Sequence, residues 1–147
     1  MKDFDPIDIL IVEDNPHDAE LTIRALKKQS LANNIYLVED GAEALDFIYC
    51  RGRYEKRKLS RPPKVVFLDL KLPKVSGLEV LKELKSHPET KKLPVVVVSS
   101  SKEDPDIKTA YELGANSYVV KPVDFDKFVE AMSNTGMFWL LVNESPR

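Results

Sequence analysis

The chain has 147 residues, of which 43% are hydrophobic and 31% are charged, a length and composition that suit one compact globular domain. The net charge of −2 lacks the basic excess expected of a protein that binds nucleic acid or an anionic membrane. The single cysteine excludes an internal disulfide, and the N-terminus lacks the apolar run of a signal peptide. Both features favour a cytoplasmic location. No apolar run approaches the roughly 20 residues that would span a bilayer.

Strand patterns alternate with helical patterns five times along the chain. This alternation predicts an α/β protein in which helices cover both faces of a parallel sheet. In chain order, the predicted elements are strand Ile7–Val12, a helix opened by Asn15-Pro16, strand Ile35–Val38, a helix from about Ala42, strand Val65–Leu68, helix Leu78–Ser86, strand Val95–Val98, helix Pro105–Leu113, strand Ser117–Val120, and a helix capped by Asp124 that continues to about Leu140.

One connecting segment is unusually long and basic. Residues Arg51–Pro63 carry six basic side chains and one acid, and these 13 residues exceed the usual helix-to-strand loop of about 2–6. Two interpretations stay open: a solvated insertion that ends in a stiff Pro62-Pro63 entry to the third strand, or a docking surface for an acidic partner. Cys50, just before the segment, is interpreted as an ordinary residue at a helix end.

Chemically distinctive residues follow four of the five predicted strands. Glu13 and Asp14 follow the first strand, Asp69 the third, Ser99 the fourth and Lys121 the fifth. The carboxyl ends of parallel strands meet at one edge of the sheet, where open α/β sheets bind their ligands. The spacing therefore predicts a single site built from all five side chains.

The three carboxylates of this site predict a bound metal ion. Glu13, Asp14 and Asp69 would repel one another at close range unless a counter-charge is present. Hard oxygen ligands suit Mg²⁺, with Mn²⁺ as an alternative, and the cluster has no cysteine or histidine that would favour zinc. His17 and His87 lie elsewhere and are interpreted as ordinary surface residues.

A magnesium ion beside an aspartate and a lysine predicts phosphoryl transfer. Asp69 would act as the nucleophile that forms an aspartyl-phosphate, Lys121 would neutralise phosphoryl oxygens, and Ser99 would donate a hydrogen bond to the new phosphate. The chain has no glycine-rich phosphate loop, so the phosphoryl group should come from another molecule rather than from a nucleotide bound here. It also lacks the nucleophile elbow of hydrolases.

Four motifs of the chain resemble the receiver domain of two-component response regulators, the CheY-like family. They are Val12-Glu13-Asp14-Asn15, Leu68-Asp69-Leu70-Lys71-Leu72-Pro73 with Gly77, Val98-Ser99-Ser100, and Tyr118-Val119-Val120-Lys121-Pro122. The resemblance covers nearly the whole chain. It implies a flavodoxin-like, doubly wound sheet of five parallel strands in the order 2-1-3-4-5 with five helices, and a receiver domain over residues 5–143 with a tail at 144–147.

The resemblance also implies a role for each site residue. A sensor histidine kinase would supply the phosphoryl group from a phosphohistidine, and phosphorylation would change the face formed by the fourth helix, the fifth strand and the fifth helix. The implied roles are phosphoacceptor for Asp69, metal ligands for Glu13, Asp14, Asp69 and the backbone carbonyl of Lys71, switch residues for Ser99 and Tyr118, and phosphate contact for Lys121, which would precede a cis bond to Pro122.

Two features resemble the stand-alone response regulators associated with phytochrome-type kinases: the Arg51–Pro63 segment and the Phe138-Trp139 ending. This narrower resemblance implies a single receiver without a DNA-binding domain. It also implies a homodimer through the fourth helix, fifth strand and fifth helix, with Phe138 and Trp139 as candidate contacts. No nucleic acid or membrane is expected as a partner.

The expected function is therefore signalling in a phosphorelay, with catalysis limited to the chain's own phosphorylation and dephosphorylation. Two alternatives stay open. The chain could act as a phosphate sink or relay intermediate, or it could be a magnesium-dependent aspartyl-phosphate phosphatase. Phosphatases of this class typically have a second aspartate two residues after the nucleophile, where this chain has Lys71.

Overall fold

A single sheet of five parallel strands organises the fold, in the order β2-β1-β3-β4-β5. The computed structural model describes residues 9–27, 34–57 and 62–135. The predicted flavodoxin-like order is confirmed. The elements are β1 Ile9–Val12, α1 Pro16–Lys27, β2 Ile35–Val38, α2 Gly41–Ile48, a 3₁₀ helix at Gly52–Tyr54, β3 Val65–Asp69, α3 Gly77–Ser86, β4 Val95–Ser99, α4 Asp104–Glu112, β5 Ser117–Val120 and α5 Phe125–Thr135.

Two apolar clusters, one on each face of the sheet, hold the layers together. The three inner strands β1, β3 and β4 are fully buried, as their unbroken apolar sequences predict for strands covered on both faces. Alternate strand residues enter opposite clusters, so Leu10 and Val66 pack toward α2 and α3, whereas Ile9 and Phe67 pack toward α1 and α5. β2 is a half-buried edge strand, as predicted.

Two strands end one residue later than predicted, and the helices α2, α3 and α4 begin one residue earlier. β3 and β4 run one residue further because Asp69 still pairs with Val98, and Ser99 with Val120. α2 and α3 begin one residue earlier, at Gly41 and Gly77, because a polar residue caps each helix. Because the strands are parallel, the ends of β1, β3 and β4 lie at one edge of the sheet, where the following helices begin.

The first part of the basic segment packs into the protein. Tyr54 is 1% exposed, and its ring lies against Tyr36 and Phe47 with centroid distances of 5.9 and 4.9 Å. Arg57 is also buried, with its guanidinium 3.8 Å from the centroid of the Phe47 ring. Two residues of Arg51–Arg57, Tyr54 and Arg57, therefore anchor the segment in the fold, whereas the other five are exposed, as a solvated insertion predicts. The docking-surface interpretation stays a prediction, and residues 58–61 lie outside the described residues.

Several predictions fall on parts of the chain that are not described. The predicted start of the first strand at Ile7, the receiver boundaries at 5 and 143, the tail at 144–147, and the candidate contacts Phe138 and Trp139 all lie outside the described ranges. Within those ranges, no helix is both long and apolar enough to cross a membrane. Cys50 is half-buried just after the end of α2, which fits its interpretation as an ordinary residue.

Candidate functional site

Three carboxylates converge at the carboxyl edge of the sheet. Glu13 and Asp14 directly follow β1, and Asp69 is the last residue of the neighbouring β3. One oxygen from each carboxylate lies within 4.8 Å of the others. Glu13 and Asp69 are only 4% and 5% exposed, whereas Asp14 is exposed. The structure therefore brings together the three acids that the sequence predicts.

Lys121 supplies the positive charge that faces this cluster. It directly follows β5, and its Nζ lies 2.9 Å from Glu13 Oε1 and 3.4 Å from Asp69 Oδ2. The peptide bond from Lys121 to Pro122 is cis, as the family resemblance implied. The predicted neighbourhood of the lysine and two of the acids is thus confirmed.

Burial, hydrogen bonds and neighbouring charges shift two pKa values in the cluster. Burial raises the pKa of Glu13 from 4.5 to about 7; the hydrogen bond from Lys121 opposes this change and the Asp69 charge adds to it. For Lys121, burial alone would lower the pKa. Hydrogen bonds to Glu13 and Asp18 and the charge of Asp69 outweigh burial, so the pKa of Lys121 lies above its ordinary value.

Asp18 is a fourth acid of the site, and the sequence reasoning missed it. Its Oδ2 lies 2.9 Å from Lys121 Nζ, as near as the closest oxygen of Glu13. An acid in the first turn of a helix is ordinarily read as a partner of the helix dipole. Its place in the first turn of α1, just after β1, puts Asp18 near the same sheet edge, but no pattern in the sequence links it to Lys121.

The loop after β3 fixes the backbone around Asp69. The backbone N–H of Lys71 donates to Asp69 Oδ1 at 3.4 Å, and Gly77 N donates to the Leu70 carbonyl at 2.9 Å. A Cβ on Gly77 would overlap the Asp69 carbonyl oxygen and lie 2.6 Å from Leu70 Cα. Only glycine therefore lets α3 start this close to the end of β3. The role of the Lys71 carbonyl as a metal ligand stays a prediction.

Ser99 and Tyr118 both form a hydrogen bond with Ser101, which lies in the loop after β4. Ser99 is buried at the end of that strand, and its Oγ accepts a hydrogen bond from Ser101 N at 3.1 Å. The Tyr118 hydroxyl, half-buried on β5, donates to the Ser101 carbonyl at 3.0 Å. The two predicted switch residues are therefore linked through the backbone of one residue.

The donor set fits a hard divalent cation. Mg²⁺ binds oxygen ligands at about 2.0–2.1 Å, so opposite ligands on one ion lie about 4 Å apart. Carboxylate oxygens within 4.8 Å of one another can reach a common ion with small side-chain movements.

Comparison with known proteins agrees with this geometry. The family model described as the response regulator receiver domain matches residues 9–133. The bacteriophytochrome response regulator RtBRR has a solved structure that is 46% identical in sequence. That match covers 97% of this chain and 85% of RtBRR, with a TM-score of 0.84.

Two further relatives are regulators with informative solved structures. Response regulator Rcp1 of Synechocystis sp. is 36% identical over 132 residues, which cover 90% of this chain and 88% of Rcp1. Its Mn²⁺-bound structure matches with a TM-score of 0.76 at 33% identity, over 95% of this chain and 98% of Rcp1. The phosphorylated cyanobacterial phytochrome response regulator RcpA matches at 32% identity and a TM-score of 0.75, over 97% and 100% of the two chains. The chain therefore belongs to the response regulator receiver family of two-component systems.

Proposed function

We propose that the chain accepts a phosphoryl group on Asp69 from the phosphohistidine of a sensor histidine kinase and signals through the resulting change of shape. The observation that carries this proposal is the placement of Asp69. Its carboxylate is almost fully buried, shares a cluster with Glu13 and Asp14, and lies 3.4 Å from Lys121 Nζ. The proposed nucleophile is therefore surrounded by charged groups of the kind that can bind a metal ion and a phosphoryl group.

In the proposed transfer, a carboxylate oxygen of Asp69 attacks phosphorus. The new O–P bond forms while the P–N bond to the donor imidazole breaks, and the electron pair of that bond returns to the imidazole nitrogen. Lys121 offsets negative charge on the phosphoryl oxygens, since its ammonium already faces Asp69. The Ser99 hydroxyl, now an acceptor from Ser101 N, would turn its proton toward a phosphoryl oxygen.

Glu13, Asp14 and Asp69 would hold Mg²⁺ or Mn²⁺, with the Lys71 carbonyl as a further ligand. When bound, the metal supplies positive charge to the phosphoryl oxygens and offsets repulsion between the three acids. The Mn²⁺-bound form of Rcp1 and the phosphorylated form of RcpA support this proposal by similarity.

The proposed switch runs from Ser99 to Tyr118 through Ser101. Movement of the Ser99 hydroxyl toward the phosphate would break its bond to Ser101 N, and the Ser101 carbonyl holds the Tyr118 hydroxyl. Tyr118 would then be free to turn inward. A cavity of about 380 Å³ lies beside it on the α4–β5–α5 face, lined by Tyr111, Lys127 and Ala131 among others.

This α4–β5–α5 face is the proposed contact surface for a partner or a second copy of the chain. Tyr111 on α4 is 48% exposed and gives this face a large apolar side chain in contact with solvent. The similarity to RtBRR and RcpA supports a phytochrome-type kinase as the phosphodonor. We therefore propose a phytochrome-type histidine kinase and a second copy of the chain as partners, and a cytoplasmic location.

The proposal is tested by intact-mass measurement after incubation with acetyl phosphate, with and without Mg²⁺. We expect one added phosphoryl group that requires the metal and is absent from Asp69→Asn. Asp46→Asn is the matched control, because Asp46 is a half-exposed aspartate on α2 that pairs with Arg51 at 3.5 Å, away from the site. That control should be labelled like the wild type.

Two outcomes would contradict the proposal. Labelling that persists in Asp69→Asn would place the acceptor elsewhere, and a wild-type chain that is never labelled would remove the phosphoacceptor function. Continuous release of phosphate from many equivalents of a phosphate monoester would instead favour the phosphatase alternative. A shift in size-exclusion elution on phosphorylation would connect the switch to assembly.

A further inference from the structure

We propose that Asp18 is a positioning residue that occupies the Lys121 ammonium group in the unphosphorylated protein and thereby slows acceptance of the phosphoryl group. This inference rests on the proposed function of Asp69. The observation behind it is a difference in distance: Lys121 Nζ lies 2.9 Å from Asp18 Oδ2 but 3.4 Å from Asp69 Oδ2. The lysine thus bonds a non-reacting acid more closely than the acid that reacts.

The local sequence holds Asp18 at this position. Asn15 precedes α1, and its Oδ1 accepts hydrogen bonds from the backbone N–H groups of His17 and Asp18 at 2.9 and 3.1 Å. One turn later, the Thr22 hydroxyl donates to the Asp18 carbonyl at 3.1 Å. The Asp18 side chain is therefore carried by a capped first helical turn, and it is 29% exposed. A carboxylate fixed in this way meets Lys121 without needing a change in the backbone.

Two of the three N–H donors of the lysine are engaged by acids that do not react in the proposed transfer. An ammonium group has three N–H donors, and three carboxylates surround Nζ at 2.9, 2.9 and 3.4 Å. A phosphoryl group on Asp69 brings three further acceptor oxygens and about two negative charges. To bond more than one of those oxygens, Lys121 must weaken at least one of its hydrogen bonds to Glu13 and Asp18. Metal binding would engage Glu13, which leaves Asp18 as the competitor for the ammonium.

Two effects of Asp18 then act in the same direction. Its charge repels an incoming phosphodonor, which is itself an anion, and its bond to Lys121 lowers the positive charge available to that donor. Removing the charge of Asp18 while keeping its shape should therefore speed phosphorylation. Glu20 on the same helix should have neither effect, because it pairs with Arg24 at 3.0 Å and its side chain is 58% exposed.

The test compares Asp18→Asn with Glu20→Gln, the matched control that also removes one negative charge from α1. Acetyl phosphate serves as the donor because it removes kinase docking from the measurement; its P–O bond breaks and acetate leaves as the Asp69–phosphorus bond forms. With saturating Mg²⁺ and low salt, we expect Asp18→Asn to be phosphorylated about three- to tenfold faster than the wild type. The rate of Glu20→Gln should stay within twofold of the wild type.

A binding measurement provides a readout that does not depend on turnover. Beryllofluoride mimics a phosphoryl group on a carboxylate, and its affinity can be measured by calorimetry in the presence of Mg²⁺. Asp18→Asn should bind it more tightly by a similar factor. In a Lys121→Met background, the Asp18→Asn substitution should lose most of its effect, because the positioning acts through the lysine.

The outcomes separate this inference from the function on which it rests. If the wild type is never labelled, the proposed function fails. If the wild type is labelled but Asp18→Asn is no faster, or if Glu20→Gln gains as much, Asp18 has no positioning role. An effect that persists in full in the Lys121→Met background would also overturn the inference. Circular dichroism confirms folding of each variant, and Asp18→Ser provides a second substitution should Asp18→Asn be unstable.

Discussion

The raised pKa of Glu13 predicts an unusual pH dependence of stability in the metal-free protein. In the unfolded chain this carboxyl loses its proton near pH 4.5, whereas in the folded protein it does so near pH 7. Below pH 4.5 both states keep the proton, so stability is unaffected. As the pH rises from 4.5 to 7, the unfolded state releases its proton first, and the folded state becomes progressively less stable relative to it.

The size of the effect follows from the two pKa values. Each pKa unit corresponds to about 1.36 kcal/mol, so the difference between 4.5 and about 7 destabilises the folded protein by about 3 kcal/mol once the pH exceeds 7. Because Glu13 is only 4% exposed, solvent does little to screen this effect. Glutamine at this position has the same shape and no ionisation, so Glu13→Gln should not show the decline.

Urea unfolding at pH 5 and pH 8, in the presence of a chelator, measures the effect. The free energy of unfolding of Glu13→Gln minus that of the wild type should rise by about 2.5 kcal/mol between these pH values. Glu20→Gln controls for the loss of a carboxylate at the surface of α1. Mg²⁺ at 100 times its Kd should restore about 2.7 kcal/mol to the wild type at pH 8 and much less at pH 5. A difference between variant and wild type that stays constant with pH would refute the reasoning.

Two further predictions concern the packing around the site and beneath the basic segment. Gly77→Ala should destabilise the protein by about 1–3 kcal/mol, because the new Cβ overlaps the Asp69 backbone, and it should also slow labelling by acetyl phosphate; an unchanged urea midpoint would contradict this. Tyr54→Phe should cost about 1–2 kcal/mol of unfolding free energy, because the Tyr54 hydroxyl donates to Glu43 Oε2 at 2.6 Å. Tyr111→Phe, at an exposed tyrosine, is the control and should change stability by less than about 0.5 kcal/mol.

The regular elements could be predicted because their apolar patterns are long and consistent. Val65–Leu68 and Val95–Val98 identify the central strands, and hydrogen-bonded pairing then carries each strand one residue further, to Asp69 and Ser99. Polarity marks where a strand leaves the apolar core, whereas backbone pairing decides where it ends. The difference of one residue matters here, because it makes Asp69, the proposed phosphoacceptor, part of the sheet rather than part of a loop.

The packing of the basic segment could not be predicted from its composition. Tyr54 is surrounded in sequence by charged residues, so a hydrophobic pattern gives no sign that it is buried. Its burial depends on tertiary partners: Tyr36 stacks on Phe47 with centroids 4.8 Å apart, and the Tyr54 hydroxyl reaches both Glu43 and the hydroxyl of Tyr36. These partners come from β2 and α2, so only the fold brings them together.

The same limit explains the omission of Asp18 from the predicted site. The rule that carboxyl ends of parallel strands converge finds residues that follow strands, and it found Glu13, Asp14, Asp69 and Lys121. Asp18 reaches the site from a helix, through a contact with a lysine 103 residues away. A separation of that length leaves no local pattern in the sequence.

The charges of the site give a physical reason for the metal dependence that we propose. With every group ionised, four acids face one lysine, which leaves a net charge of −3 at a largely buried edge of the sheet. The protein alone can reduce this charge to −2 by keeping a proton on Glu13, which is the direction in which the pKa of Glu13 moves, while the raised pKa of Lys121 keeps the lysine charged. A divalent cation would instead bring the net charge to −1 with every acid ionised. Because a protonated Glu13 is a poor metal ligand, the proton and the metal compete for one carboxylate, and metal binding should strengthen as the pH rises through about 7.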